Sequence, residues 1–114
     1  QLEGGAVQGI GQALCEQVVH DADSGQPLTG TFMDYAMPRA GMVRHVEMTM
    51  DESTPCRNNL LGVKGVGELG TIGATPTVVN AVVDALVRAG VPTARVEALQ
   101  MPLTPERVWR ALQP

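Results

Sequence analysis

The residues with the clearest capacity for chemistry lie in one glycine-rich stretch, Gly62-Val63-Lys64-Gly65-Val66-Gly67-Glu68-Leu69-Gly70. Two readings of it compete. Gly65, Gly67 and Gly70 satisfy a G-x-G-x-x-G fingerprint, and Asp84 follows Gly65 by 19 residues, near where a ribose-binding acid sits. The context opposes a dinucleotide site, because the fingerprint must follow a strand and lead straight into a helix. Here Asn58 and Asn59 precede it and the expected helix cap falls later, at Thr75. A phosphate-binding P-loop is excluded, since Lys64 lacks both the required glycine spacing and a following Ser or Thr. The second reading is a carboxylate held in a glycine turn. Glycines let backbone approach a bulky ligand, and Glu68 between Val66 and Leu69 would be partly desolvated. Desolvation raises a carboxyl pKa and suits a general base near neutral pH. A solvated glutamate on a surface loop fits the same residues, and composition does not choose between them.

Other candidates are weaker. Gln8 sits among glycines in Val7-Gln8-Gly9-Ile10-Gly11, facing either a ligand or solvent. His20 and His45 are isolated, and Asp51-Glu52 reads as a solvated strand end. The six methionines read as core filler. Cys15 and Cys56 lack C-x-x-C spacing, so reduced, buried, inert thiols are expected rather than a disulfide or zinc site. No metal-ligand set emerges.

The elements that must carry these residues follow from periodicity. Leu2, Ala6, Ile10, Ala13 or Leu14, and Val18 predict a helix over 1–19, although four glycines inside it each cost about 1 kcal/mol relative to Ala and demand a close neighbour in return. Asp21–Pro27 reads as a turn, 29–37 as extended, and 44–51 alternates as a half-buried strand. Residues 52–75 form a long irregular stretch of the kind that usually carries function. Thr75-Pro76 opens a helix with Asp84 and Arg88 paired, closed by Gly90. A short strand is expected near 94–100, then a last helix capped by Thr104-Pro105 and running to about Leu112. The expected class is α+β, a small mixed sheet packed with about three helices, with residues 1–114 as one compact unit.

Composition excludes several roles. Charged residues at 18% and hydrophobic residues at 44% argue against wholesale disorder. A net charge of −4 with scattered basic residues argues against a nucleic-acid surface. No apolar run of bilayer-spanning length and no signal peptide is read. The chain opens on Gln1 rather than Met, so it starts after processing or was cut from something longer.

Together these motifs resemble a known family. Glu3 to Leu14, Phe32 to Arg39, Gly62 to Glu68 and Met101 to Leu112 are similar, in order, to segments near the C-terminal end of the molybdopterin-binding large subunits of molybdenum hydroxylases: the xanthine dehydrogenase, aldehyde oxidoreductase and aerobic carbon monoxide dehydrogenase family. The resemblance implies a piece of a larger cofactor-binding domain that hydroxylates an aldehyde, an N-heterocycle or carbon monoxide, with water as the oxygen source. It implies Glu68 as the catalytic base, and cofactor contacts from Gln8, Gly9, Lys64, Gly65, Val66 and Gly67. It further implies a molybdenum–molybdopterin cofactor in its cytosine dinucleotide form, iron–sulfur and FAD partners, the remainder of the large subunit, and a cytoplasmic setting. Leu60 departs from the pattern, which commonly has proline there. The isolated chain is expected to be inactive and to self-associate through surfaces left uncovered. The reading from another class is a stand-alone structural or interaction domain.

Overall fold

Glycine spacing on two helices decides the architecture. The computed structural model describes residues 1–114 and contains four helices: α1 (Leu2–Leu14), α2 (Leu69–Arg88), α3 (Thr93–Glu97) and α4 (Pro105–Leu112). Gly5 and Gly9 are buried on α1, one turn apart. A Cβ at Gly9 would lie 2.6 Å from the Ala74 Cβ, and one at Gly5 would lie 3.1 Å from the Thr71 amide nitrogen. On the facing side, a Cβ at Gly70 would run into the Leu2 carbonyl oxygen and stand 2.8 Å from the Ala6 nitrogen. Small residues four apart on both helices therefore let the two backbones touch. The same contact accounts for Gly5 and Gly9, whereas Gly11 packs against the Pro38 ring instead and Gly4 faces open space with no neighbour to offset its cost.

This contact moves the start of α2. Thr75 and Pro76 were expected to begin the helix, but it starts at Leu69 and contains Pro76. Pro76 has no N–H, so the turns before it are short of one helical bond. Those turns are the ones seated on α1, and the Thr75 hydroxyl, instead of capping, donates across the contact to the Gly9 carbonyl at 3.2 Å. Tertiary packing has overridden the capping signal. The far end follows expectation. Gly90 has φ +85°, its amide bonds the Val87 carbonyl and that of Val91 bonds the Leu86 carbonyl. This is a Schellman ending, with Val91 and Leu86 in the same apolar cluster. The Asp84–Arg88 pair forms at 2.9 Å in full view of solvent. At 20 residues and mean hydropathy 1.3, α2 is long and apolar enough to cross a membrane by length and composition alone, contrary to the sequence reading.

The mixed sheet does not exist. The only β pairing is an isolated bridge between His20 and Pro27. Residues 44–51 alternate as a strand would, but they have no edge to pair with. The segment expected to lie extended, 29–37, instead folds into a turn in which the Asp34 and Tyr35 amides both donate to the Thr31 carbonyl, at 3.1 and 2.8 Å. A lone strand gains no ladder bonds, so 44–51 stays irregular and Met48 and Met50 are exposed. Residues 94–100 fail as a strand for a local reason: the Arg95 and Val96 amides donate back to the Pro92 carbonyl and start α3. Helix α1 ends at Leu14 rather than residue 19, because the Cys15 and Glu16 amides both take the Gly11 carbonyl. Helix α4 matches expectation, with the Thr104 hydroxyl accepting from the Arg107 amide at 3.3 Å.

The core is small. Leu86, Val91, Val96 and Ala111 join the end of α2 to α3 and α4. Ala13 and Leu103 are buried too, and the Leu103 amide donates to the Ala13 carbonyl at 2.6 Å. Only 10 of 114 residues are buried. The radius of gyration is 18.0 Å, against about 13 Å for a compact domain near this length. All six methionines are exposed, so they are not core filler. Cys15 and Cys56 are free and half-buried rather than buried. Burial pushes the Cys15 thiol pKa up, with the neighbouring Glu16 charge adding to the shift, which keeps it in its less nucleophilic form.

Two outcomes test this account. Gly70→Ala destabilises by about 1–3 kcal/mol through overpacking. Gly73→Ala, whose added Cβ meets nothing within 4 Å, stabilises by about 0.5–1 kcal/mol through backbone entropy; thermal denaturation of the two variants separates them. The second concerns the Asp21 turn. The Ser24 hydroxyl and then the Ser24 and Asp23 amides hold the Asp21 carboxyl below its ordinary value of 3.8. A depressed folded pKa stabilises above the unfolded value and is lost as pH falls through the folded one. The Ser24 amide resonance therefore keeps its bonded shift as pH falls to the ordinary carboxyl value of 3.8 and loses it only below that, and Asp21→Asn abolishes that dependence.

Candidate functional site

The glycine stretch is fixed at both ends and open between. At its start the Asn59 carboxamide brackets Val63: Nδ2 donates to the Val63 carbonyl at 3.0 Å and Oδ1 accepts from its amide at 3.1 Å. This side chain acts as a short strand would, supplying a donor and an acceptor to one residue. Gly62 turns the chain with φ +68°, where only glycine sits without strain, and its carbonyl accepts from the Cys56 amide at 2.9 Å. At the other end the Gln1 Nε2 donates to the Gly67 carbonyl at 2.9 Å, and the Leu69 amide closes onto the Val66 carbonyl at 3.2 Å.

Between these ties, no backbone N–H from Lys64 to Glu68 donates to another backbone carbonyl. A Cβ at Gly65 or Gly67 would meet nothing within 4 Å. The stretch is thus a run of free donors beside uncovered space, next to the N-terminal end of α2, where unsatisfied amides favour negative charge. A cavity of about 550 Å³ opens along it, lined by Lys64 and Gly65 together with Asp51 and Glu52. Asp51 is kept ionised to lower pH than usual, because the Ser53 hydroxyl and amide donate to it.

Glu68 is the N-cap of α2, yet its side chain makes no capping bond. It is exposed, as are Val66 and Leu69, so the partial desolvation expected from those neighbours is not supplied within this chain. Gln8 lies on α1, exposed, with its Oε1 3.3 Å from the Thr71 hydroxyl. Thr71 is three residues after Glu68, hence on the same side of the first turn of α2. The structure therefore brings Gln8, Gly67 and Glu68 to one end of the helix pair. Gly9 is buried against Ala74 and Thr75, in the helix contact rather than beside the open loop. Lys64, Gly65, Val66 and Gly67 are all exposed. His20 and His45 stand apart, and no group of three or more His, Cys, Asp or Glu could hold a metal ion.

The loop does lead directly into a helix, which removes one objection to the dinucleotide fingerprint. The other stands, since no strand precedes it and Asp84 is engaged with Arg88. Sequence reasoning gave no role to Gln1, Asn59 or Thr71. For Thr71 a signal existed: Thr71 and Thr75 each follow a small residue, Gly70 and Ala74, at the same spacing of four as Gly5 and Gly9.

Comparison with known proteins gives the geometry a context. Residues 1–44 match the family profile described as a molybdopterin cofactor-binding domain. The chain is 40% identical, over 99% of its length, to 13% of the 6-hydroxypseudooxynicotine dehydrogenase complex subunit gamma of Paenarthrobacter nicotinovorans. It is 39% identical, again over 99% of its length, to 13% of the carbon monoxide dehydrogenase large chain of Hydrogenophaga pseudoflava. In three dimensions it superposes on quinoline 2-oxidoreductase from Pseudomonas putida 86 with a TM-score of 0.75 and 39% identity, covering 98% of this chain and 13% of that one. The chain thus spans about 13% of the length of the relatives it matches. With the similarity running through nearly all of its residues, the chain belongs to the family of molybdopterin-binding large subunits of molybdenum hydroxylases.

Proposed function

We infer that this segment supplies the catalytic base and part of the cofactor cradle of a molybdenum hydroxylase, one that adds oxygen from water to an aldehyde, an N-heterocycle or carbon monoxide. The observation that carries this reading is the gathering of Gln8, Gly67 and Glu68 at one end of the α1–α2 pair, beside a run of free backbone donors. The donor set suits a molybdopterin group, whose phosphate and oxo oxygens accept hydrogen bonds. The amides from Lys64 to Gly67 donate, the absence of Cβ atoms at Gly65 and Gly67 admits close approach, and the Lys64 ammonium adds positive charge. When bound, that group, in its cytosine dinucleotide form, supplies the two-electron redox chemistry.

The chain's own residues then divide the remaining work. The Gln8 carboxamide orients ligand by hydrogen bonding. Glu68 accepts a proton on a carboxylate oxygen that no helix amide occupies. Asn59 and Gln1 hold the loop so that these groups keep their spacing. In the whole protein the rest of the large subunit covers this face and excludes water, and iron–sulfur and FAD partners carry electrons away in the cytoplasm. The isolated chain holds a base without the group it serves and is inactive.

The test uses the full-length large subunit produced with its partner subunits. Glu68→Gln retains molybdenum and lowers kcat by about 10²–10⁴-fold, the range of a positioned general base. Equal turnover by the two proteins, or a wild type without molybdenum, overturns the reading. A separate assay of the isolated 114 residues with aldehyde, N-heterocycle and carbon monoxide gives no turnover, and any turnover there overturns the claim that the chain alone is inactive.

A further inference from the structure

Two glutamines and two threonines form a ladder along the α1–α2 contact. The Thr71 hydroxyl lies 3.0 Å from the Gly5 carbonyl oxygen and 3.3 Å from Gln8 Oε1. One turn further on, the Thr75 hydroxyl lies 3.2 Å from the Gly9 carbonyl oxygen and 3.0 Å from Gln12 Oε1. The two rungs are chemically alike, and each threonine is half-buried. They differ in what they hold. The first rung holds Gln8, at the end of the pair where Glu68 and the open loop lie. The second holds Gln12, one turn away from it.

We propose that Thr71 is a positioning residue: its hydroxyl fixes which end of the Gln8 carboxamide faces the ligand. This rests on the proposed molybdenum hydroxylase reading. The single hydroxyl proton lies between two acceptors, the Gly5 carbonyl and Gln8 Oε1, and is shared between them as a three-centre bond. It therefore holds the amide oxygen against α2. Gln8 Nε2 makes no bond within the chain and is turned outward as a pair of donors, matched to an acceptor oxygen on the ligand. Without the hydroxyl the carboxamide can rotate and present its oxygen to that same acceptor, which is repulsive. The Thr71 hydroxyl bonds to the Gly5 carbonyl and to Gln8 and makes no hydrogen bond to the loop or to Glu68, so it acts through Gln8.

The ladder supplies its own control. Thr71→Val and Thr75→Val each delete a hydroxyl bonded to a helical carbonyl on α1, so their structural costs are alike, but only the first releases Gln8. In the full-length enzyme with its partner subunits, Thr71→Val loads molybdenum as wild type does and lowers kcat per bound molybdenum at least tenfold, while Thr75→Val stays within twofold. Thr71→Ser, which keeps the hydroxyl, stays within threefold of wild type. Because Thr71 acts through Gln8, adding Thr71→Val to Gln8→Ala lowers kcat no further. A readout independent of turnover is the crystal structure of the Thr71→Val holoenzyme, in which the Gln8 side chain leaves its place while the contact of Gly5 with Gly70 stays. The proposal is overturned by a Thr71→Val enzyme within twofold of wild type, by equal losses in the two valine variants, or by a multiplied loss in the double variant. If Thr71→Val does not fold, Thr71→Ala is held to the same limits, and failure of both to load molybdenum overturns it, since positioning alone leaves loading intact. An active Glu68→Gln enzyme removes the underlying reading instead. A dead Glu68→Gln beside a fully active Thr71→Val removes only this inference.

Discussion

The end of the chain that carries the glycine-rich loop depends on two helix backbones touching. Gly5 and Gly9 face Gly70 and Ala74 with no room for another carbon atom. A side chain on either face would push the helices apart and lengthen the bonds from the Thr71 and Thr75 hydroxyls, which bridge to the carbonyls of those same α1 glycines. Each such bond adds about 1 kcal/mol, comparable to the helix cost of one glycine. The contact is thus affordable only because packing and hydrogen bonding coincide at the same residues. It also supplies the support that the first turns of α2 lack, since Pro76 withholds a bond from them. Glu68 has a fixed position only because those turns are helical.

The rest of the chain shows how little else holds it. Between α1 and α2 the backbone runs through more than fifty residues without a strand or helix. It is kept in shape by local devices: the Asp21 turn, the Thr31 turn and the Asn59 bracket. Phe32 and Met33 are 81% and 93% exposed, and Leu60 and Leu61 stand out beside the glycine-rich loop. Apolar side chains in such numbers outside a core bring no burial energy to the chain that carries them. Relatives of which this chain spans 13% have seven-eighths of their length with which to cover such a surface. The irregular middle and the small core are two aspects of one fact, that the alternation of Val46, Met48 and Met50 finds no partner edge within these 114 residues.

That fact also sets what could be read from the sequence. Signals completed within a few residues were legible: the Gly90 ending, the Thr104 cap and the Asp84–Arg88 pair depend only on near neighbours and formed as read. Signals that need a distant partner were not. A strand pattern promises a sheet only if another strand lies beside it, and residues 29–37 turned instead. A Thr-Pro cap marks a helix start only if nothing better is offered upstream, and α1 offered it to Leu69. At the site, residue types named Glu68, Gln8 and the glycines. The ties that place them, from Gln1, Asn59 and Thr71, span up to 66 residues and are invisible to local spacing. Gly9 illustrates the remaining ambiguity, since a glycine that admits a ligand and a glycine that admits a helix are the same letter.

The two helix starts of this chain differ in what the residue at the capping position commits. Thr104 opens α4 and commits its hydroxyl to the Arg107 amide, satisfying an orphan donor of the first turn. Glu68 stands in the equivalent place on α2 and commits nothing. Glutamate is a poor cap, because its longer side chain does not reach back to the helix amides as Ser, Thr or Asp do, and a helix selected for stability alone would carry one of those residues instead. Here the first turn is held from outside, by α1, so the capping position is released from its usual duty. Its carboxylate stays uncommitted at the end of a loop of free amides, on a turn that the glycine contact holds fixed. A group that must bind and release a proton needs that combination of a rigid backbone and an unoccupied oxygen, and the close helix contact is what makes the two compatible.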